Sequence, residues 1–373
     1  MSDKPSQASD TQKTATLKSQ FDDFFKSRPA KHQDIEKGRL EDLNRFQSEH
    51  FSHFYQPNVL VETKQIVNGM LSAFAKRVEP PHGPATIYFD FVDSIAPNGM
   101  TFTQEGNYFI GITTRLLLDF DSANLALAGS GAVRDLLATP DPRKAPHATW
   151  ALITAFLALQ LQFTVFHELG HMVHGDRDAR KFRKEFVPTA NEALLIHFPP
   201  QEAEQAKEYL ADRHAVRMLL ENYLNKTRGR AIVDSIESTL AEEECLLRLI
   251  ILSIAAVFFF GPSDRFHLPI VRQRPYPCDL ARLNIVMRSI VEWAESKNLP
   301  TVRAWAHDPC NFELITSRLR QAVDNPEKVD EWLAQGDYLH SEAGSHYLDV
   351  IYRDGGVITP KTEENWWRIT AAI

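Results

Sequence analysis

The residues His167-Glu168-Leu169-Gly170-His171 form an HExxH pattern. On a helix this spacing has a physical meaning. Positions i and i+4 share one face about one turn apart, so two imidazoles there can converge on one ion at roughly 2.0–2.1 Å. Glu168 lies ~100° round the helix from His167. It borders the open coordination position, where it can take a proton from an attacking water and pass it to a leaving amine. Five-residue motifs also arise by chance. Here the motif directly continues an apolar run, and two histidines and a glutamate on such a helix are costly to bury without a partner. A metal ion is the simplest partner.

Hydrolytic zinc needs a third protein ligand and an open fourth position. The extended pattern HExxHxxGxxH is absent, since position 174 is His, 177 is Arg and 178 is Asp. His174 shares the face of His171 but sits two turns from His167, too far to join both in one coordination sphere. Glu208, thirty-seven residues beyond His171, lies in the helical stretch Gln201–Leu224, with Asp212 its i+4 neighbour. Glu208 can complete a His-His-Glu set. Asp212 can accept the free N–H of a ligating imidazole and fix its tautomer. Glu192, Glu202 and Glu204 compete with Glu208 for the third position.

His167–His171 followed by Glu208-x-x-Ala211-Asp212 resembles the gluzincin metallopeptidases. It looks most like the group holding the CAAX prenyl proteases and the membrane heat-shock proteases, and it is similar to the Lit-type phage-exclusion peptidases. That first group carries a His-Pro pair with an arginine six residues after the histidine; here Tyr276-Pro277 precedes Arg282 at that step. Tyr108–Thr114 with Leu116-Leu117 resembles the same group's strand and Gly-Leu-Leu entry to a helix, with Arg115 in place of the glycine. The resemblance spans about residues 100–290. It implies a zincin-like fold, one Zn2+ ion and hydrolysis of peptide bonds in a protein substrate, with phage defence as a further analogy. It also implies an edge strand beside the metal that pairs with substrate backbone, for which Asn107–Thr114 is the candidate. Tyr276 stands where the group has its histidine and is the candidate oxyanion donor; His267, His340 and His346 are its rivals. Arg282 is expected to hold the site's acids. The multiple membrane spans of the prenyl proteases are missing.

These residues must be positioned by a scaffold, and its pattern is mostly helical. Phe21, Phe24 and Phe25, then Ile66, Met70, Leu71 and Phe74, recur at helical steps, with Pro57 between the two runs. Ala85–Val92, Met100–Thr103 and Asn107–Thr114 read as strands, turning at Pro97-Asn98-Gly99 and Glu105-Gly106. Arg115–Ala128 returns to helix, and Ala138–Pro146 is a linker. Ala148–Phe166 carries no charge over 19 positions. By length it could cross a membrane, but glutamines and threonines interrupt it, so a buried core helix is expected. Leu246–Phe260 reads the same way, and 280–297, 311–323 and 326–335 read as three further helices. The expected fold is α+β and predominantly helical, with a small antiparallel or mixed sheet beside the active-site helix. The expected division is a loose tail over 1–15, a helical region over 16–80, a metallopeptidase core over 81–297 and a C-terminal helical region over 298–373.

Composition bounds the class. The chain has 373 residues, a formal charge of −8, and is 43% hydrophobic and 24% charged, the profile of a globular protein. Its mild acidity argues against nucleic acid as the main partner. Cys245, Cys278 and Cys310 lie far apart with no CxxC pair, which speaks against a cysteine zinc knuckle and for a reducing compartment. No apolar leader is visible at the N-terminus, so a cytoplasmic location is expected. The alternatives are a catalytically silent metal-binding regulator with a peptidase-like fold and a membrane-embedded protease using Ala148–Phe166.

Overall fold

In the computed structural model, the described residues are 7–28, 35–51, 55, 58–77, 86–173, 200–260, 278–323 and 325–358. Among them are fourteen α-helices and four strands. The fold is predominantly helical with one small mixed sheet, as the hydrophobic periodicity predicts.

The strands are β1 (Glu36–Arg39), β2 (Ile87–Ser94), β3 (Gly99–Gln104) and β4 (Asn107–Thr113), in the spatial order β1-β2-β4-β3. β2 and β4 run parallel, and the two outer pairs are antiparallel. β3 and β4 form a hairpin whose two turn residues, Glu105 and Gly106, both have positive φ (50° and 80°). That geometry matches the right-handed twist of the flanking strands.

The strand order corrects one expectation. Asn107–Thr114 is not an edge: β4 is hydrogen-bonded on both sides, and β3 is the outer strand. β1 was not foreseen either. Its sequence Glu-Lys-Gly-Arg has no β-forming residue, and it becomes a strand by pairing with β2 across a register shift at Glu36/Gly38.

The two faces of the sheet have different partners. Phe89, Phe91, Ile110 and Ile112 join the main core, which draws residues from Leu43 to Ile351. Tyr88, Val92, Phe102 and Phe109 point the other way, under helix α1 (Gln7–Lys26). There Phe21, Phe25 and Leu17 are buried, and Phe24 stacks on Phe102 with ring centroids 3.8 Å apart. Of the loose tail expected over 1–15, residues 1–6 lie outside the described residues, and from Gln7 the chain is helix instead; the buried aromatic face that follows gives the polar first turns a helix to extend.

The other helices that bear on the site are α3 (Val59–Arg77), α4 (Thr114–Gly129), α6 (Pro146–Val173), α7 (Pro200–Tyr223), α9 (Glu242–Phe260), α10 (Asp279–Ser296) and α13 (Pro326–Leu339); α2 and α5 are Leu43–His50 and Gly131–Leu137. Thr113, the last residue of β4, caps α4 by accepting from the Leu116 N–H. Pro146 and Pro200 open α6 and α7, where a missing N–H costs nothing. α6 runs through the core and packs most extensively on α7. Among the described residues, Pro146–Met172 is long and apolar enough to cross a membrane, with 72% of its most apolar window buried inside the protein.

Candidate metal centre

α6 delivers His167 and His171 to one face, and α7 lies against that face. The helices meet closely because Gly170 has no side chain: a Cβ there would lie 2.7 Å from the Ala211 Cα. Ala211 sits between Glu208 and Asp212 on α7, so the same approach that brings the backbones together brings the two acids to the two imidazoles.

The resulting group is compact. His171 Nε2 lies 3.0 Å from His167 Nε2. Glu208 places Oε2 3.3 Å from His167 Nε2 and Oε1 3.4 Å from His171 Nε2. Ligand atoms on a tetrahedral ion with bonds of roughly 2.0–2.1 Å stand about 3.3 Å apart. The three residues are buried and could hold a metal ion.

The supporting contacts fix what each group presents. Asp212, fully buried, receives the His167 Nδ1–H at 2.8 Å. This tautomer leaves the His167 Nε2 lone pair aimed at the centre. Arg282 of α10 donates to Asp212 through Nε at 2.8 Å and Nη2 at 2.7 Å, a two-pronged pairing that offsets the cost of burying the carboxylate. The same guanidinium lies over the Phe258 ring of α9, 4.3 Å from its centroid, and Phe258 meets Phe163 of α6 edge-on. The site is thus walled on one side by aromatic rings.

Electrostatics follows from this packing. Burial pushes the Asp212 carboxyl up, but Arg282 and His167 more than offset it and hold it down at about 2. Burial likewise raises Glu208, while His171, His167 and Arg282 bring it below the usual carboxylate range. Burial lowers His167, yet Asp212 and Glu208 raise it to about 10. With no cation present the two acids therefore favour a proton on this ring, and a cation must displace it.

Glu168 points to the sheet. A Cβ on Gly99, the first residue of β3, would stand 2.8 Å from Glu168 Oε1 and 3.1 Å from Thr164 Cγ2. The edge strand thus runs directly beside the candidate base. The hairpin sets which of its backbone groups face away from β4. Thr113 N donates to Asn98 O at 3.0 Å, so alternate residues from Asn98 pair inward with β4. Gly99, Thr101 and Thr103 turn their N–H and C=O groups outward.

The structure brings together His167, His171, Glu208, Asp212 and Arg282, while Glu168, next to His167 on α6, places its carboxylate against Gly99 of β3. His340 caps the end of α13 and His346 lies in α14 (Glu342–Ile358); neither belongs to the group. His174, Glu192, His267 and Tyr276 lie outside the described residues, as do the side chains of Glu202 and Glu204. Sequence reasoning missed Gly99, whose only signal was its place in a turn. It also missed His214, buried on α7 with its pKa lowered to about 3 by burial and the nearby Arg217.

No protein-family model matches the chain, and neither a curated protein nor a solved structure matches it significantly.

Proposed function

We propose that this protein is a zinc-dependent peptidase with a zincin-like core, in which His167, His171 and Glu208 hold the ion. The observation that carries the reading is the spacing of those three ligand groups, 3.0–3.4 Å apart and all buried. Two imidazoles and a carboxylate favour zinc over magnesium or calcium, which prefer all-oxygen sites. When bound, such an ion supplies Lewis-acid polarisation of a carbonyl and a nucleophile at neutral pH.

The chain's own residues supply the rest. Glu168 takes a proton from the attacking water and hands it to the departing amine. Asp212 keeps His167 in the ligating tautomer, and Arg282 keeps Asp212 ionised and in place. The outward backbone groups of Gly99, Thr101 and Thr103 offer an extended peptide a strand to pair with, so the substrate is an unfolded or loop segment of a protein. α6 serves as the core helix that carries the motif.

The test compares protein N-termini in cells expressing wild type or Glu168→Gln. The variant is expected to retain metal and lose ~10²-fold or more of turnover. New N-termini that appear only with wild type support a peptidase; identical N-terminal profiles from two metal-loaded proteins contradict it.

A further inference from the structure

We propose that Gly99 is a positioning residue for Glu168: the bare backbone of the edge strand at this point is the wall that holds the Glu168 carboxylate in its working place. The inference rests on the metal-site reading above and adds a residue that the motif does not contain.

Gly99 has no need of a glycine's conformational freedom. It is not among the residues with positive φ, so its backbone would accept any L-residue. It is also unlike Gly111, another glycine of this sheet, whose added Cβ would meet the apolar side chains of Val92 and Met100. An added Cβ on Gly99 meets a carboxylate: Glu168 Oε1 at 2.8 Å and Cδ at 3.2 Å, with the Thr164 methyl at 3.1 Å. What this position requires is space, and the space belongs to an acid.

The neighbours an added methyl would displace are ends of side chains, not backbone. The strand and α6 can therefore keep their places while the carboxylate turns away. Its rotamers are limited, because Glu168 is itself buried and a helical side chain must avoid the preceding turn. A single methyl at Gly99 thus moves the acid and leaves His167, His171 and Glu208, which meet where α6 packs on α7, undisturbed. At Gly170, by contrast, the obstructing atoms are backbone, and an added methyl must push helices apart.

The experiment uses the full chain loaded with cobalt(II), whose visible absorption reports ligand entry, and acetohydroxamate as the probe. The chelator's N–O–H group gains a hydrogen bond when an acid stands beside the metal. Wild type, Gly99→Ala, Glu168→Ala and the double variant are titrated, and cobalt stoichiometry and Tm are measured for each. All four are expected to hold one cobalt. Gly99→Ala is expected to weaken acetohydroxamate at least about tenfold, the equivalent of roughly 1.4 kcal/mol, with Tm near wild type. The double variant is expected to bind no more weakly than Glu168→Ala, because with the acid removed the close contact that remains is the Thr164 methyl, which forms no hydrogen bond to the chelator.

Cobalt binding with unchanged acetohydroxamate affinity in Gly99→Ala overturns the proposal alone. So do effects that multiply in the double variant, or loss of cobalt on the glycine substitution, since either makes Gly99 a packing residue. A wild type that takes up no cobalt overturns the metal site itself, and this inference with it.

Discussion

Gly170 of α6 lies so close to Ala211 of α7 that a Cβ on the glycine would stand 2.7 Å from the Ala211 Cα and 3.2 Å from its carbonyl oxygen. The two residues sit inside the two motifs, one between the histidines and one between the acids. The approach of the helices and the assembly of the site are therefore the same event. Gly170→Ala is expected to cost about 1–3 kcal/mol, the scale of overpacking, and to weaken metal retention at the same time. Because the obstruction is backbone, Ala211→Gly should not rescue it. Thermal unfolding with and without added zinc checks both statements; a variant with wild-type Tm and metal affinity would contradict the close-approach argument.

Asp212 links the candidate ligand His167 to the Arg282 guanidinium. Asp212→Asn keeps an oxygen for the His167 Nδ1–H but takes from the Arg282 guanidinium the carboxylate it grips with two hydrogen bonds, leaving it Glu208 at 3.9 Å. Removing one partner of a buried pair costs about 3–5 kcal/mol, and loss of such a supporting contact lowers metal affinity about 10–100-fold. Chelator competition on Asp212→Asn and Arg282→Lys measures this. Lysine cannot reproduce the fork, so both variants should bind zinc more weakly than wild type.

His214 makes a pH prediction. Its folded-state pKa is lowered to about 3, so it stays neutral in the folded protein, whereas the unfolded chain takes up a proton near pH 6.5. Between those values the unfolded state binds more protons, and stability falls as pH drops, by up to about 1.4 kcal/mol per pH unit from this one group. Above pH 6.5 the contribution is flat. His214→Gln should flatten the Tm profile between pH 6.5 and 4. An unchanged acid limb would remove His214 as its cause.

The legible part of the molecule was the part with a local signature. The β-forming residues of Ala85–Val92 gave β2, the Glu105-Gly106 turn gave the hairpin, and long apolar runs gave α6 and α9, because these signals are written in neighbouring residues. The HExxH spacing and the Glu208/Asp212 pair were legible for the same reason. Strand order was not, since whether β4 is central depends on β2, which is also a good β sequence. β1 has no intrinsic strand character and exists through its partner. α1 begins in polar residues whose helicity follows from a docking face further along. Gly99 and Gly170 matter through what stands opposite them, which no single segment records.

The edge strand gives a prediction separate from the metal. Thr101→Pro removes one outward N–H while leaving the pairing with β4, a substitution an edge strand tolerates. Metal content should stay at wild type, and KM for a substrate found by N-terminus mapping should rise about tenfold or more, the loss of one or two backbone hydrogen bonds. An unchanged KM would show that the peptide does not pair with β3.

The central claim is that His167, His171 and Glu208 grip one ion. Elemental analysis of the purified full-length protein beside His171→Ala and Glu208→Gln tests it most directly. The account predicts about one equivalent of zinc in wild type and its loss in both variants while helical content by circular dichroism is retained. Wild type without metal after zinc incubation and desalting, or variants that keep their full equivalent, would contradict it.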